Sequence, residues 1–207
     1  MLPPRQTYKE MMLVLQANRR NELLKILRDY PIIPSLQHKE DLPALIASRA
    51  RVVLVSSGSI FNIKTHAQEL HKNNKIVLVH IDLIDGLGRD AAAVRFLKEK
   101  AVADGIVTPN RHLITAARKE GIITVHRLFA HDSPSIDTGI KVLQMSNPDF
   151  IEVLPGLMVL KVISILHKHF KQPVIGAGLI KTPEEVKLVL EAGAVGVNTS
   201  AKNLWNL

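Results

Sequence analysis

Residues 172–200 read QPVIGAGLIKTPEEVKLVLEAGAVGVNTS and contain one complete unit of an alternating strand and helix pattern. An apolar run at 173–175 ends in a glycine-rich loop. A helix start follows at 182–185, where threonine can cap the helix, proline can take its first position and glutamate can complete a capping box. Gly193 can end this helix because glycine adopts positive φ without strain. A second apolar run at 194–197 predicts the next strand.

The two loops of this unit have the composition of a phosphate site. Gly176 and Gly178 follow the first strand, and Thr199 and Ser200 follow the second. Both loops would emerge at one edge of a parallel sheet, where small residues leave backbone N–H groups free to bind an anion. We therefore predict that the N–H groups of Gly178 and Leu179, with those near Thr199 and Ser200, hold a phosphate. The alternative is that the glycines only form tight turns.

The same alternation extends back through most of the chain. Eight apolar runs are short, β-branched and continuous, which is typical of strands buried on both faces of a parallel sheet. Helical patterns between them predict an α/β fold, a (β/α)8 barrel of the TIM type, with an open doubly wound sheet as the alternative. The strands are expected at Ile32–Leu36, Val52–Ser56, Ile76–Ile81, Gly105–Val107, Ile122–Val125, Phe150–Val153, Val174–Gly176 and Val195–Val197. The helices between them are expected at Leu42–Arg49, Ile60–Lys72, Ala91–Lys100, Asn110–Lys119, Ile136–Gln144, Leu157–Phe170 and Pro183–Glu191.

An extra helical pattern, Thr7–Arg28, precedes the first strand and carries apolar residues at helical spacing. Tyr30-Pro31 should end this helix, because the residue before proline disfavours helical backbone. The predicted organisation is therefore an N-terminal helical extension at residues 1–30 and a single (β/α)8 barrel domain at residues 31–207.

Composition limits the classes of protein that remain. The 207 residues include no cysteine, which excludes disulfides and thiolate metal sites and favours a reducing compartment. No apolar run approaches the ~18 residues of a membrane span, and the first residues lack a secretory pattern, so we predict a cytoplasmic protein with no membrane partner. The 27 Lys and Arg against 19 Asp and Glu give a net charge of +8, which attracts polyanions. Aromatic residues are only 4%, which disfavours an extended stacking platform for bases.

Several polar residues should lie at the carboxyl ends of the strands, where barrels carry their function. His80 and Asp82 are two residues apart and point to the same side of a strand. Arg127 follows the fifth strand, Glu152 lies near the end of the sixth, and Gly156 follows the sixth. With Glu152, the first pair could act as acid and base, hold ligand hydroxyls, or pair with Arg127 and line a polar barrel mouth. No zinc motif, strand-end lysine or phosphate-binding P-loop is present, so no metal, Schiff base or nucleotide cofactor is predicted.

Six longer stretches, distributed in order along the predicted barrel, carry a family pattern. They are VLVHIDLIDGLGRD at 77–90, DGIVTP at 104–109, HRLFAHDS at 126–133, PDFIEVLPG at 148–156, IGAGLIKTPEEV at 175–186 and NTSAKNLW at 198–205. Through them the chain resembles the glycerol uptake operon antiterminator regulatory protein family, from about residue 32 onward. That resemblance implies a (β/α)8 fold that senses glycerol 3-phosphate, binds the leader mRNA of glycerol genes and prevents premature termination when the effector is bound.

The function that follows from this resemblance is regulation of transcription rather than catalysis, with glycerol 3-phosphate as effector and no cofactor. We expect Asp82 and Glu152 to accept hydrogen bonds from the effector hydroxyls. RNA approaching the rim would meet Arg89, Arg111, Arg127 and Lys181. The alternatives are an isomerase or lyase acting on a small sugar or triose phosphate, and a sensor that contacts another protein through its first helix. Association into a homo-oligomer stays open.

Overall fold

Eight parallel strands close into a barrel in the computed structural model of the chain. The structure describes residues 5–207, and for residues 5–9 and 11–13 it describes the helical backbone alone. Each strand pairs with its neighbours in sequence, and the last pairs with the first, Ile32 opposite Val197 and Ile33 opposite Asn198. The predicted barrel is therefore confirmed, and the open sheet is wrong, because an open sheet would leave two strands with free edges.

The strands and the eight principal helices alternate along the chain, apart from the first helix. The strands are β1 (Ile32–Leu36), β2 (Val52–Val55), β3 (Ile76–His80), β4 (Gly105–Thr108), β5 (Ile123–Phe129), β6 (Phe150–Leu154), β7 (Val174–Ala177) and β8 (Gly196–Thr199). The helices are α1 (Arg5–Asp29), α2 (Leu42–Ala47), α3 (Ile63–Lys72), α4 (Ala91–Glu99), α5 (Arg111–Glu120), α6 (Ser133–Ser146), α7 (Val159–His169) and α8 (Pro183–Glu191).

Two elements differ from the sequence prediction for identifiable reasons. β5 continues to Phe129, well beyond the predicted end, because it stays paired with β6 up to Leu154. α3 starts at Ile63 and not at Ile60, because the residues after β2 bind the loop after β3. The N–H of Ile60 donates to the carbonyl oxygen of Asp85 at 3.0 Å, which fixes a turn where helix was expected. The predicted start of α8 is confirmed, since Thr182 and Glu185 form a reciprocal capping box.

Apolar side chains fill the barrel on both sides of the strands. One cluster lies inside the barrel and includes Val125, Phe150 and Ile175, which alternate along their strands with residues that face outward. Two larger clusters lie between the strands and the surrounding helices. The interior is therefore packed with side chains and leaves no room for a ligand inside the barrel.

Helix α1 covers the amino-terminal end of the barrel. Leu23 and Leu27 are fully buried and belong to the cluster inside the barrel. Arg19 donates a hydrogen bond to the carbonyl oxygen of Gly121 at 2.8 Å, in the turn before β5. A small cavity of about 200 Å³, lined in part by Arg19, Glu22 and Asp104, lies at this end. The division into residues 1–30 and 31–207 stays a prediction, and residues 1–4 lie outside the described part of the chain.

Candidate functional site

A cavity of about 500 Å³ lies at the carboxyl end of the barrel. Its walls come from the ends of β1, β2, β3, β5, β6, β7 and β8 and from the loops that follow them. The residues that line it are Ser35, Gln37, Leu54, Ser56, His80, Leu83, Arg127, Leu154, Ala177, Gly178, Leu179, Ile180, Lys181, Asn198, Thr199, Ser200, Ala201 and Asn203. Small-molecule sites of barrel proteins lie in this position, so the cavity is the candidate site.

One wall of the cavity is the loop after β7, where two successive residues have left-handed backbone. Gly178 has φ 76° and Leu179 has φ 58°. Among residues 5–207, the N–H groups of Gly178, Leu179 and Ser200 have no hydrogen-bond acceptor. Leucine with positive φ is strained, and strain of this kind concentrates at ligand sites. The wall therefore presents a concave set of free N–H donors, with Lys181 beside them.

The polar groups that follow this loop, in contrast, already have hydrogen-bond partners. The carboxylate of Glu185 accepts from the N–H groups of Lys181 and Thr182, at 2.7 and 3.1 Å. These bonds lower the pKa of Glu185, because they favour its charged form. The first turn of α8 thus already holds an anion of its own. The hydroxyl of Thr199 is also engaged, since it donates to the carbonyl oxygen of Ile180 at 2.8 Å and so holds β8 to the loop after β7.

The opposite wall includes His80, and Asp82 lies next to it outside the lining; each carries a buried polar atom without a partner. Nδ1 of His80 and Oδ2 of Asp82 lie 3.6 Å apart, and neither has a hydrogen-bond partner among the described residues. Burial, with a smaller effect of Arg127, lowers the pKa of His80 to about 4, so its ring is neutral near pH 7. Buried polar atoms are almost always satisfied, so an unpartnered pair indicates a place for a ligand hydroxyl or water.

Beneath the cavity, Arg127 and Glu152 form an ion pair. They are neighbours in the register of β5 and β6, and Nε of the arginine lies 2.6 Å from Oε2 of the glutamate. The other carboxylate oxygen accepts from the side-chain amide of Asn198 at 2.8 Å. Glu152 is 1% exposed and does not line the cavity, whereas Arg127 does. Of the three roles left open by the sequence, the structure shows pairing for Glu152, which orients Arg127 toward the cavity.

The other residues predicted from the sequence do not line the cavity, apart from Lys181. Gly156 and Gly176 are buried beside the cavity and do not line it. A Cβ at Gly156 would lie 2.3 Å from the side chain of Ile180, and one at Gly176 would lie 2.6 Å from Val189, so both glycines permit close packing. Of the residues predicted to meet RNA, Arg89, Arg111 and Lys181 are exposed on the carboxyl side of the barrel, whereas the side chain of Arg127 is only 12% exposed. Arg89 donates to the carbonyl oxygen of Asp82 at 3.3 Å.

Several lining residues were missed in the sequence. Ser35 and Gln37 lie at the end of β1, which had been assigned no candidate residue, and the two hydroxyls of Ser35 and Ser56 are 2.8 Å apart. Asn203, in the helical turn after β8, also lines the cavity. Barrel sites are built from the ends of all eight strands, so Ser35 and Gln37 are predictable from their position at the end of β1. Nothing in the sequence marks Asn203.

Residues 5–207 contain neither a metal-binding cluster nor a membrane-spanning helix. Within residues 5–207, no group of three or more His, Asp or Glu side chains is placed to hold a metal ion. No helix in that part of the chain combines the length and apolar character that crossing a membrane requires.

A model of the glycerol-3-phosphate responsive antiterminator family matches residues 32–205 of this chain. The uncharacterized protein YgcP of Escherichia coli (strain K12) is 34% identical over 185 residues, which are 89% of this chain and 96% of that protein. The glycerol uptake operon antiterminator regulatory protein of Listeria monocytogenes str. 4b F2365 has 32% identity and a TM-score of 0.81, over 85% of this chain and 95% of that one. A glycerol uptake operon antiterminator-related protein from Thermotoga maritima MSB8 has 34% identity and a TM-score of 0.76, over 84% of this chain and 97% of that one.

The matched region runs from the first residue of β1 to the helical turn after β8, so it includes the whole barrel and the whole wall of the cavity. The family resemblance inferred from the six sequence stretches is therefore confirmed. The chain belongs to the glycerol-3-phosphate responsive antiterminator family.

Proposed function

We propose that this protein binds glycerol 3-phosphate in the cavity and, in that state, binds leader mRNA and prevents premature termination of transcription. The observation that carries the proposal is the division of the cavity into two chemically distinct ends. Free backbone N–H groups and Lys181 lie at one end, and the unpartnered His80 lies at the other, with Oδ2 of Asp82 3.6 Å from its ring. Glycerol 3-phosphate has the matching division, with a phosphate at one end and two hydroxyl groups at the other.

Each end supplies the interactions that its part of the effector requires. A phosphate oxygen accepts hydrogen bonds, so it suits the N–H groups of Gly178, Leu179 and Ser200. A hydroxyl both donates and accepts, so it can donate to the Asp82 carboxylate and complete the missing bond of His80. Arg127 adds positive charge between the two ends, and its pairing with Glu152 keeps the guanidinium in place.

The RNA part of the proposal depends on charge. The net charge of +8 and the exposed cations Arg89, Arg111 and Lys181 favour a polyanion at the carboxyl end. Binding should weaken with salt, by about 0.7 log units per log unit of salt for each phosphate neutralised on a single strand. A protein that acts on a nascent transcript would do so in the cytoplasm.

The glycine loop gives the sharpest test of effector binding. At about 100 times its Kd, glycerol 3-phosphate should stabilise the folded protein by roughly 2.7 kcal/mol, or about 5–10 °C in melting temperature. Gly178→Val should remove this increment, because the side chain intrudes on the phosphate and disturbs the left-handed turn. Gly193→Val is the matched control, since Gly193 also has positive φ, 111°, and ends α8 outside the cavity.

Both variants should lose stability without effector, by at least ~1–2 kcal/mol, because an L-residue in left-handed backbone is strained. Only Gly178→Val should lose the increment produced by glycerol 3-phosphate. If it keeps the full increment, the glycine loop does not hold the phosphate. If the unmodified protein shows no increment, glycerol 3-phosphate is not the effector.

An enzyme acting on a triose phosphate is the second candidate, and the unpartnered His80 and Asp82 are the observation that favours it. A general base works best with a pKa near the operating pH, whereas the pKa of His80 is about 4. The pair is therefore better suited to holding a hydroxyl than to removing a proton. Isomerisation or cleavage of triose phosphates by the purified protein would decide for the enzyme.

A further inference from the structure

A second cavity, of about 410 Å³, lies outside the barrel between the end of β5 and helix α6. Phe129, Pro134, Thr138 and Val142 form much of its wall, and the proposed effector site leaves it unused. We infer that this cleft, defined by those four residues, binds an unpaired nucleobase of the RNA. The inference rests on the proposed function and assigns a place to one part of its partner.

Phe129 is the residue that indicates a base. It ends β5 at the carboxyl rim and is 42% exposed, although a phenyl ring gains stability when it is buried. Its ring lies parallel to the imidazole of His131, with 5° between the planes and 5.8 Å between the centroids. An exposed flat ring beside an apolar cleft is the arrangement on which proteins stack bases of single-stranded RNA. A single such ring is compatible with the low aromatic content of the chain.

The charges around the cleft suit an anionic chain. Of the described residues that line it, none is acidic and one, Arg127, is cationic. Arg111 lies at the same edge, with its guanidinium 3.3 Å from the sulfur of Met145 on α6, and it has no ion-pair partner in residues 5–207. Two carboxylates lie on the first turns of α6, Asp132, which accepts from the N–H of Ser135 at 2.8 Å, and the exposed Asp137, but neither lines the cleft. Arg127 and Arg111 are therefore the groups to which a phosphate that follows the base could bind.

The polar groups of the cleft leave room for the edge of a base. Both ring nitrogens of His126 are engaged, one with the Ser146 hydroxyl at 2.7 Å and one with the Pro109 carbonyl oxygen at 3.0 Å. That carbonyl oxygen keeps a second lone pair, and the exposed hydroxyl of Thr138 can donate or accept. The polar groups at the floor of the cleft are therefore already hydrogen-bonded. Its wall is apolar, and a few free polar groups lie at its mouth.

Arg127 connects the cleft with the effector site, because this residue lines both cavities. An anion in the first cavity and a base in the second would share this one residue, whose side chain is only 12% exposed. Effector binding would thus fix the residue that forms part of the wall for the base. Linkage requires that RNA then tighten effector binding by the factor by which effector tightens RNA binding.

The test measures binding of a fluorescently labelled leader transcript of a glycerol gene, by anisotropy, with glycerol 3-phosphate present. Thr138→Tyr should block the cleft, and Phe129→Leu should remove the stacking ring. Both should weaken binding roughly 5- to 150-fold, the range for loss of one stacked base. Phe129→Trp should restore binding. Gln144→Tyr is the matched control, because Gln144 is exposed on the same helix outside the cleft and should bind as the unmodified protein does.

The outcomes separate the inference from the function on which it rests. If the unmodified protein binds the transcript in a salt-dependent way and Thr138→Tyr and Phe129→Leu bind equally well, the cleft does not hold a base and the proposed function stands. If the unmodified protein does not bind the transcript even at low salt, both are wrong. If Thr138→Tyr instead abolishes a dimer seen by light scattering and leaves RNA binding intact, the cleft is an interface with a second copy.

Discussion

Replacing Glu152 by glutamine tests whether this residue supports the site or contacts the effector. Its carboxylate is 1% exposed and accepts two hydrogen bonds, from Arg127 at 2.6 Å and from Asn198 at 2.8 Å. Glutamine has nearly the same shape but only one acceptor atom. Its NH2 group must therefore face one of the two donors, and the positive charge of Arg127 loses its partner.

The structure sets the expected cost of Glu152→Gln. Removing one partner from a buried ion pair destabilises a protein by about 3–5 kcal/mol, and we expect the lower end because glutamine keeps one hydrogen bond. In a protein of 207 residues, 3 kcal/mol corresponds to about 6–12 °C in melting temperature. Glu69→Gln is the control. Glu69 pairs with Lys72 at 2.9 Å on the exposed surface of α3, where an ion pair contributes at most about 1 kcal/mol.

Thermal melting followed by circular dichroism, with and without glycerol 3-phosphate, gives two readouts. If Glu152 only orients Arg127, the variant melts lower but gains more from the effector, because the anion replaces the lost negative charge. If Glu152 accepts a hydroxyl of the effector, the variant gains less. A melting temperature equal to that of the unmodified protein would refute the account of a buried, doubly bonded ion pair.

Three further predictions concern the polar end of the cavity and the opposite end of the barrel. The pKa of His80 falls from an ordinary 6.5 to about 4, so between these values the unfolded chain binds a proton that the folded protein does not. The free energy of unfolding should thus fall by about 2 kcal/mol between pH 7 and pH 5. Melting curves should show a smaller fall for His80→Asn. Equal falls would assign the effect to other buried groups, such as His126, whose pKa is also lowered by burial. Asp82→Asn should weaken glycerol 3-phosphate about tenfold or more and inorganic phosphate much less, as measured by calorimetry, because only the former has hydroxyls. Equal losses would make Asp82 structural. Leu27→Ala should cost about 2–5 kcal/mol in urea unfolding without changing effector affinity, because Leu27 is fully buried at the end of the barrel away from the cavity, and a change in affinity would contradict that separation.

The order of strands and helices could be predicted because each strand is a short β-branched run. In addition, several helices begin with a capping residue followed by proline. Thr182-Pro183 is an example, and its capping box is present in the structure. Where the prediction was wrong, a contact distant in sequence was responsible. The turn at Ile60 depends on a hydrogen bond to Asp85, which belongs to the next loop and cannot be found from local periodicity.

The candidate site was only partly predictable, and for the same physical reason. Backbone conformation followed from composition, as in the left-handed Gly178. The position of Glu152 did not, because its burial depends on the register that sets it beside Arg127 and on the distance to Asn198 across the barrel. Closure of β8 on β1 likewise brings Ser35 to the cavity, although the two strands are far apart in sequence.

The position of α1 has a practical consequence for building a metabolite sensor. This helix covers the end of the barrel opposite the cavity, and Lys25 is exposed on it. The chain contains no cysteine, so Lys25→Cys would introduce a single thiol for chemical attachment. Protein coupled to an electrode or a bead through that thiol would be held in one orientation, with the rim of the barrel and both cavities facing the solution.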